Sequence, residues 1–456
     1  MLWFLSRTNW AASSLNSALN VFLVVDLMCS PKVIYEVIIS PLFRWPKLVC
    51  HYKETVAITA IALGMSLLLL FGGKALGGDV YVYFVSGLEK LDFQALLLNG
   101  MLGFLLFAGA LQIRLKILRH QKWEILILAF ISTLLSTFII GGLLFWFAPM
   151  LGLPLQFSHC LLFGALISPT DPIAVLAILK KMGAPEDIAI QVEGESLFND
   201  GIGLVIFVAI SQLAFSTEPL TFIHISELFI REAVGGVIYG GVLGFLLHHF
   251  FRYCEEETQL MLVTLLIPTA GYVMADVLGV SGPLAMVSAG MIIGNFSVPK
   301  FFARNERVKL FTFWSLIESF FNALLFLLLG LLLLLVTFKA PLWWFMFVAI
   351  PIVLLARAMS VLLPYLGFRL FKSYNPYAET ILIWGGLRGG LALAMAMSLP
   401  EGIVIDAIGG VELRELLLVM TYAVVVFSIL VQGSTMTGLI RRSNAVTEPS
   451  SAVGSS

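Results

Sequence analysis

The chain has 456 residues, of which 59% are hydrophobic and only 12% are charged, and its formal net charge is −1. Soluble domains carry about 25% charged residues, so the composition excludes an ordinary soluble protein. The sequence contains no block of basic residues of the kind that would bind a nucleic acid. A mean hydropathy of +0.98 and repeated apolar stretches of about 20 residues predict an all-α polytopic membrane protein.

Long apolar segments predict twelve membrane spans. They lie at roughly 55–74, 94–113, 124–149, 157–180, 195–215, 232–251, 259–279, 281–296, 310–337, 341–364, 378–399 and 415–439. When these spans are threaded through a membrane, the clusters of lysine and arginine all fall on one side. The positive-inside rule makes this side cytoplasmic and places the C-terminus there as well.

The two ends of the chain depart from this pattern. Segment 1–50 contains two short apolar runs separated by Asp26 and Pro31, so it forms either a thirteenth span or an interfacial hairpin. Residues 51–442 make up the predicted membrane domain. Residues 443–456 are small and polar, which predicts a short disordered cytoplasmic tail.

The first candidate for a functional acidic residue is Asp171, which lies within a predicted span in residues 168–172 (Ser-Pro-Thr-Asp-Pro). A carboxylate at membrane depth is costly and marks an ion or proton path. The flanking prolines prevent a continuous helix, which frees backbone groups that, with the Thr170 hydroxyl, can bind a cation. The alternative is a kink at a helix end, with Asp171 acting as an N-cap.

The second candidate is Asp200, which follows Glu195, Ser196 and Asn199 in another predicted span. Glu195 and Asn199 are four residues apart, as are Ser196 and Asp200, so all four group on one flank of a helix. Such oxygen ligands suit hard cations. Because a confined, partly dry pocket favours the neutral form of a carboxyl group, the site could exchange a proton for a cation. The structural alternative is that Asn199 and Asp200 only bind a neighbouring helix.

A buried arginine is the third candidate. Arg388 lies within residues 385–390 (Gly-Gly-Leu-Arg-Gly-Gly). An arginine at membrane depth must be paired, and we predict Glu195 or Asp171 as its partner. The four glycines permit close helix packing or a second break. Such an ion pair would shape the site without contacting the transported ion.

Other polar residues in apolar segments are interpreted as buried pairs or interfacial anchors. Glu318 and Asn322 are four residues apart on one face of a long apolar helix. Arg357 and Asp276 lie in two further apolar helices. A polar group in the membrane needs a partner, so each predicts a contact between helices rather than a direct transport role.

Several motifs resemble one family of transporters. Residues 167–175 (Ile-Ser-Pro-Thr-Asp-Pro-Ile-Ala-Val) are similar to the signature of the cation:proton antiporter-1 family, which comprises bacterial NhaP-type antiporters and animal sodium/hydrogen exchangers. Residues 195–201 and 385–389 resemble it as well. Shorter matches lie at 280–285 (Val-Ser-Gly-Pro-Leu-Ala) and 431–433 (Val-Gln-Gly). The resemblance covers roughly residues 55–442, and three motifs in the right order make it specific.

The resemblance implies a fold and a set of roles. The fold is an inverted-repeat antiporter of about 12–13 helices with crossed, discontinuous helices at its centre, assembled as a homodimer. The aspartate matching Asp200 binds the cation or protons alternately, and the residues matching Thr170 and Ser196 coordinate the ion. The position of Glu195 takes part through water or an arginine pair, and that of Arg388 forms a stabilising ion pair. An asparagine at position 199 resembles the electroneutral branch.

The expected function is therefore exchange of Na⁺, or of Li⁺ or K⁺, for protons at 1:1 in the plasma membrane of a bacterium, serving pH and sodium homeostasis. The expected partners are these cations, protons, membrane lipids and a second copy of the chain, with no cofactor and no enzymatic activity. An intramembrane aspartyl protease would use Asp171 and Asp200 as a dyad, but residues 197–199 (Leu-Phe-Asn) depart from the Gly-x-Gly-Asp pattern of such proteases. The sequence leaves open a passive cation channel or a relative that binds ions without exchange.

Overall fold

The computed structural model describes residues 58–66, 68, 85–88, 92–93, 95–182, 186–216, 222–254, 256–334, 342–370, 377–406 and 410–447. Within these ranges the regular structure is helical except for one antiparallel pair of short strands. Residues 1–50, including the possible first span, lie outside the described residues. A helix at 58–66 falls inside the predicted span 55–74.

The principal helices are labelled in chain order. They are α1 (Ala95–Gln112), α2 (Lys122–Leu151), α3 (Phe157–Ile167), α4 (Ile173–Lys181), α5 (Glu186–Phe215), α6 (Phe222–Phe250), α7 (Glu257–Leu278), α8 (Gly282–Phe301), α9 (Arg304–Leu334), α10 (Leu342–Phe368), α11 (Ala378–Trp384), α12 (Gly390–Met397) and α13 (Leu413–Arg442). A short helix, Leu115–Leu118, connects α1 and α2. The strands β1 (Val404–Asp406) and β2 (Val411–Glu412) pair between α12 and α13.

Nine helices in the described part of the chain are long and apolar enough to cross a membrane, and the chain is therefore an integral multi-pass membrane protein. Several contain a single wider, π-helical turn, for example Ser428–Gln432 within α13. Helical structure continues beyond Arg442 to Thr447, past the predicted boundary of the membrane domain. Residues 448–456 of the predicted tail lie outside the described residues.

Two predicted spans are interrupted at their centres. The span 157–180 is split into α3 and α4 by residues 168–172, and the span 378–399 is split into α11 and α12 by residues 385–389. The prolines explain the first interruption because they lack donors and disfavour helix in the preceding residue. Glycines permit the second. The discontinuous helices predicted from the sequence are confirmed.

Packing around the interruptions is close. Gly164 of α3 lies directly against the backbone of Thr137 on α2, with no room for a side chain. A second, smaller apolar cluster joins α4, α5, α10, α11 and α13, and it includes Val175, Ile188, Val361, Ile381 and Met436. The broken helices are thus held between intact ones, which fixes the positions of the polar residues at the breaks.

Candidate ion-binding site

The two broken helices cross and bind each other through their interrupted backbones. The backbone N–H of Asp171 donates to the carbonyl oxygen of Leu387 at 2.8 Å. In return, Nη1 of Arg388 donates to the carbonyl oxygens of Ser168 at 2.5 Å and Pro169 at 3.0 Å. Each break therefore supplies partners for polar groups that the other leaves without intrahelical hydrogen bonds.

The charges at the crossing match the ends of the half-helices. Oδ1 of Asp171 accepts from the N–H of Ile173 at 2.9 Å, at the start of α4. Oδ2 lies so close to Gly389, just before α12, that a Cβ there would be 2.6 Å away. The carboxylate therefore lies at two helix N-termini, where the dipole is positive, and Arg388 binds the carbonyl end of α3, where it is negative. Asp171 caps a helix, as the alternative interpretation held, and also lies at the crossing.

Three buried polar side chains join the first break to α5. Oγ1 of Thr170 lies 3.2 Å from Oγ of Ser196. Asn199 binds Thr170 twice: its Nδ2 donates to Oγ1 at 2.8 Å, and its Oδ1 accepts from the backbone N–H at 3.3 Å. The structure thus brings together three of the predicted site residues. Both ends of the Asn199 amide are occupied in holding Thr170.

Asp200 follows on the same helix, and its side chain is partly exposed. Its carboxyl group is close enough to that of Asp171 for their negative charges to repel each other. A cation near both would relieve that repulsion. Helix α5 reaches the break because Gly203 has no Cβ, which allows the ring of Pro169 to pack directly on its backbone.

Glu195 is paired with a different arginine from the one predicted. Nη1 and Nη2 of Arg357 lie 2.5 Å and 3.0 Å from Oε1 and Oε2 of Glu195, and both side chains are buried. Arg357 also donates to the carbonyl oxygen of Leu382 from Nε at 3.3 Å and from Nη2 at 3.0 Å. Of the two partners predicted for Arg388, Glu195 is therefore wrong, whereas the interpretation of Arg357 as half of a buried pair is confirmed.

Gly386 explains why Arg357, and not Arg388, pairs with Glu195. A Cβ at this position would be 2.5 Å from Nε of Arg357, so only glycine lets that side chain pass the second break to reach Glu195. Arg388, on the same break, points instead to the carbonyl groups at the end of α3. The sequence contained the signal, because two arginines in apolar segments each required a partner, but it could not assign the partners.

A second contact between α5 and α10 was not predicted from the sequence. One helical turn before Glu195, the amide oxygen of Gln191 accepts a hydrogen bond of 2.8 Å from the hydroxyl of Tyr365. Both residues are buried. Gln191, Glu195 and Asn199 are spaced four residues apart and so lie on one face of α5. This spacing is the sequence feature that could have indicated the contact. Away from the crossing, Nε2 of Gln112 donates to Oε2 of Glu318 at 3.1 Å and joins α1 to α9.

Helix α13 contacts the second break through two further residues that were not predicted. The backbone N–H of Arg388 donates to Oγ of Ser428 at 3.0 Å, and Oγ of Ser428 donates to Oε1 of Gln432 at 2.7 Å. Nε2 of Gln432 then donates to the carbonyl oxygen of Trp384 at 3.1 Å. The sequence signal was the short motif at 431–433, which indicated no role.

The crossing combines carboxylate, hydroxyl and carbonyl oxygens in one partly dry place. Such donors suit a hard monovalent cation, and the same carboxylates can bind protons. The arginines and the helix ends balance the charges around them, so the arrangement can bind an ion in a chain that is otherwise apolar.

Comparisons with known proteins identify the family of the chain. The family described as "Sodium/hydrogen exchanger, transmembrane" matches residues 48–442. The chain is 41% identical over 398 residues to the Na⁺/H⁺ antiporter NhaP of Pseudomonas aeruginosa, covering 85% of this chain and 90% of that protein. It is 33% identical over 353 residues to the Na⁺/H⁺ antiporter NhaH of Halobacillus dabanensis, covering 77% and 83%.

A solved structure shares the fold. The sodium proton antiporter MjNhaP1 of Methanocaldococcus jannaschii at pH 8 superposes with a TM-score of 0.61 at 20% sequence identity, covering 85% of this chain and 98% of that one. The likeness confirms the antiporter fold with discontinuous helices that the sequence predicts.

Proposed function

Because the chain belongs to the sodium/hydrogen exchanger family, we propose that it is a secondary transporter that exchanges Na⁺, or Li⁺ or K⁺, for protons. The observation that carries this proposal is the buried cluster of Thr170, Ser196 and Asn199 where the two broken helices cross, with Asp171 and Asp200 each next to it in the sequence. The relatives named above are Na⁺/H⁺ antiporters.

A single site that binds either a cation or a proton accounts for exchange. The Asp200 carboxylate binds a cation together with the Thr170 and Ser196 hydroxyl oxygens, or it binds a proton. In either state its charge is balanced while the site moves across the membrane. An unbalanced carboxylate at the membrane centre would cost about 2.5–3.5 kcal/mol even on the insertion scale, which disfavours movement of the empty site.

The neighbouring residues have supporting roles in this mechanism. Asp171 adds negative potential next to Asp200 while its Oδ1 caps α4. Asn199 orients Thr170. The Glu195–Arg357 pair and Arg388 hold the backbone around the ion without supplying its ligands. Reorientation of Glu195 towards the ion would require breaking a buried ion pair, which is costly, so we assign Glu195 to structure.

Further features of the proposal rest on the sequence. Since position 199 is a neutral asparagine, we propose one exchanging carboxylate and a 1:1 electroneutral stoichiometry. The distribution of basic residues supports a C-terminus in the cytoplasm, and we propose the plasma membrane as the location. We also propose a homodimer, in keeping with the family, and a contribution to pH and sodium homeostasis.

The test is cation-induced pH change in proteoliposomes that contain the purified protein, assayed with Na⁺, Li⁺ and K⁺. Asp200→Asn removes the exchangeable charge with little change in shape and is expected to abolish exchange. Asp187→Asn, an exposed position in the first turn of the same helix, is the matched control and should keep full activity. Full activity of Asp200→Asn, or cation flux without proton flux, would contradict the proposal.

Competition gives a second measurement in the same system. If one site binds either a cation or a proton, lowering the pH should raise the half-saturating Na⁺ concentration. The maximal rate at saturating Na⁺ should stay nearly unchanged. Independent binding of the two ligands would leave the half-saturating concentration constant with pH, and the mechanism would have to be abandoned.

A further inference from the structure

Ser428 and Gln432 of α13 form a hydrogen-bonded chain that spans the second break. It runs from the backbone N–H of Arg388 through both side chains to the carbonyl oxygen of Trp384, with successive distances of 3.0, 2.7 and 3.1 Å. Both side chains are buried, and they lie at the two ends of the π-helical turn Ser428–Gln432. This wider turn is a common feature of functional sites.

Every group in this series of hydrogen bonds has a donor or acceptor role that agrees with its neighbours. The Ser428 hydroxyl accepts from Arg388 and uses its only proton to donate to Oε1 of Gln432. The amide of Gln432 must therefore direct its NH₂ group to the Trp384 carbonyl. The opposite amide orientation would place two oxygens together, so the network defines a single arrangement.

The break needs this support because it leaves backbone groups without helical partners. Trp384 is the last residue of α11, and Arg388 precedes α12 by two residues. A helix end in the membrane must find hydrogen bonds outside the helix. Helix α13 satisfies one group on each side of the break and so fixes the distance between them.

The geometry points to Ser428 and Gln432 as positioning residues that hold the second break in the shape required for ion binding, an inference that rests on the proposed exchange function. The break supplies the Leu387 carbonyl that binds the N–H of Asp171, and it supplies the Arg388 side chain that binds the Ser168 and Pro169 carbonyls. Displacement of the break would therefore displace Asp171 and Thr170. Neither Ser428 nor Gln432 needs to contact the ion for this effect.

The experiment compares Ser428→Val with Ser428→Thr in the proteoliposome assay. Valine and threonine have the same shape, but only threonine keeps the hydroxyl group. Loss of one buried hydrogen-bonded link predicts that Ser428→Val raises the half-saturating Na⁺ concentration about tenfold, with the maximal rate per folded protein within about twofold of wild type. Ser428→Thr should keep a half-saturating concentration close to that of wild type.

Gln432→Glu is the second variant, because it keeps the acceptor for Ser428 and removes the donor to Trp384. It should also raise the half-saturating Na⁺ concentration. The matched control is Thr435→Val, which removes a 2.8 Å hydrogen bond from Nε1 of Trp384 between the same two helices at an exposed position. This control should leave the half-saturating concentration unchanged.

Equal half-saturating concentrations for Ser428→Val and Ser428→Thr would overturn the inference, as would variants that lower only the amount of folded protein. If Ser428→Val does not fold, the comparison of Gln432→Glu with Thr435→Val decides in the same way. Absence of exchange in the wild type would instead remove the proposed function and, with it, this inference.

Discussion

Both broken helices interrupt a membrane span, but different residues cause the two interruptions. The first break, 168–172, is enforced by two prolines and carries its own polar side chains, including Thr170 and Asp171. The second break, 385–389, is permitted by glycines and carries one polar side chain, Arg388. The first thus supplies groups that can bind an ion, whereas the second supplies backbone and one positive charge.

This difference determines how each break is held. The first is held largely by its own side chains, which bind α2 and α5 through Ser168 and Thr170, with a further contribution from Arg388 of the second break. The second depends on side chains from its neighbours, namely Arg357 of α10 and Ser428 and Gln432 of α13. A glycine-rich break leaves room for these side chains but cannot position itself. The two halves of the fold are therefore specialised as an ion-binding half and a supporting half.

Among substitutions within the two breaks, the largest effect is expected from Asp171→Asn in the first break. The asparagine oxygen can still accept from the N–H of Ile173, so α4 remains capped and the protein should fold. Loss of the charge beside Asp200 removes electrostatic attraction for the cation in a poorly solvated place. We expect exchange to fall by at least about 100-fold, equivalent to ~2.7 kcal/mol, measured as Na⁺-induced pH change in proteoliposomes.

Monodispersity and thermal unfolding of Asp171→Asn, compared with wild type, provide the control for folding. A variant that is stable and exchanges Na⁺ at the normal rate would show that the first break is only a helix cap. The division between an ion-binding half and a supporting half would then have no basis.

An intermediate effect is expected from Gly386→Ala in the second break. The new Cβ would lie 2.5 Å from Nε of Arg357, which must shift away from Glu195 and from the Leu382 carbonyl. Poorly satisfied buried polar groups cost about 1–3 kcal/mol each, so the free energy of unfolding should fall by ~2 kcal/mol. Thermal unfolding in detergent measures the change.

Gly142→Ala is the matched control for this substitution, since no atom lies within 4 Å of the new Cβ. It should be neutral or slightly stabilising, because alanine is favoured over glycine in a helix. If the two alanine variants unfold at the same temperature, close packing at Gly386 does not support the pair of Arg357 and Glu195.

Much of the ion-binding half could be predicted from the sequence. Prolines on both sides of Thr170 and Asp171 determine a break through covalent geometry alone. The four-residue spacing of Ser196 and Asp200 places both on one helical flank without any tertiary information. The relation of Asp171 to Asp200, in contrast, depends on the crossing of helices, and only the motif resemblance predicted that crossing.

The supporting half could be predicted only in outline. The glycines around Arg388 indicated a possible break, but the choice between Arg388 and Arg357 as the partner of Glu195 depends on which side chain can pass Gly386. That choice is a matter of tertiary packing, which no spacing in the chain encodes. Ser428 and Gln432 lie in the largely apolar middle of α13, about 40 residues beyond the break, a separation at which sequence periodicity carries no information.

The smallest effect is expected from Thr137→Val, which weakens the tie between α2 and the first break. Its hydroxyl shares one proton between Oγ of Ser168 at 3.2 Å and the carbonyl oxygen of Thr133 in its own helix at 2.9 Å. Thr133→Val is the matched control, since its hydroxyl donates to the carbonyl oxygen of Ala129 one turn away. Because the proton is shared, Thr137→Val should be less stable than this control by ~0.5 kcal/mol, the low end of the net value of one buried hydrogen bond.

Exchange by Thr137→Val should stay within about twofold of wild type, because Ser168 still donates to the carbonyl oxygen of Gly164 and Thr170 keeps both contacts with Asn199. A large loss of exchange with unchanged stability would show that the first break needs positioning from a neighbouring helix as much as the second. The contrast between a break that holds itself and one that is held by its neighbours would then disappear, and α2 would join α13 as a support of the site.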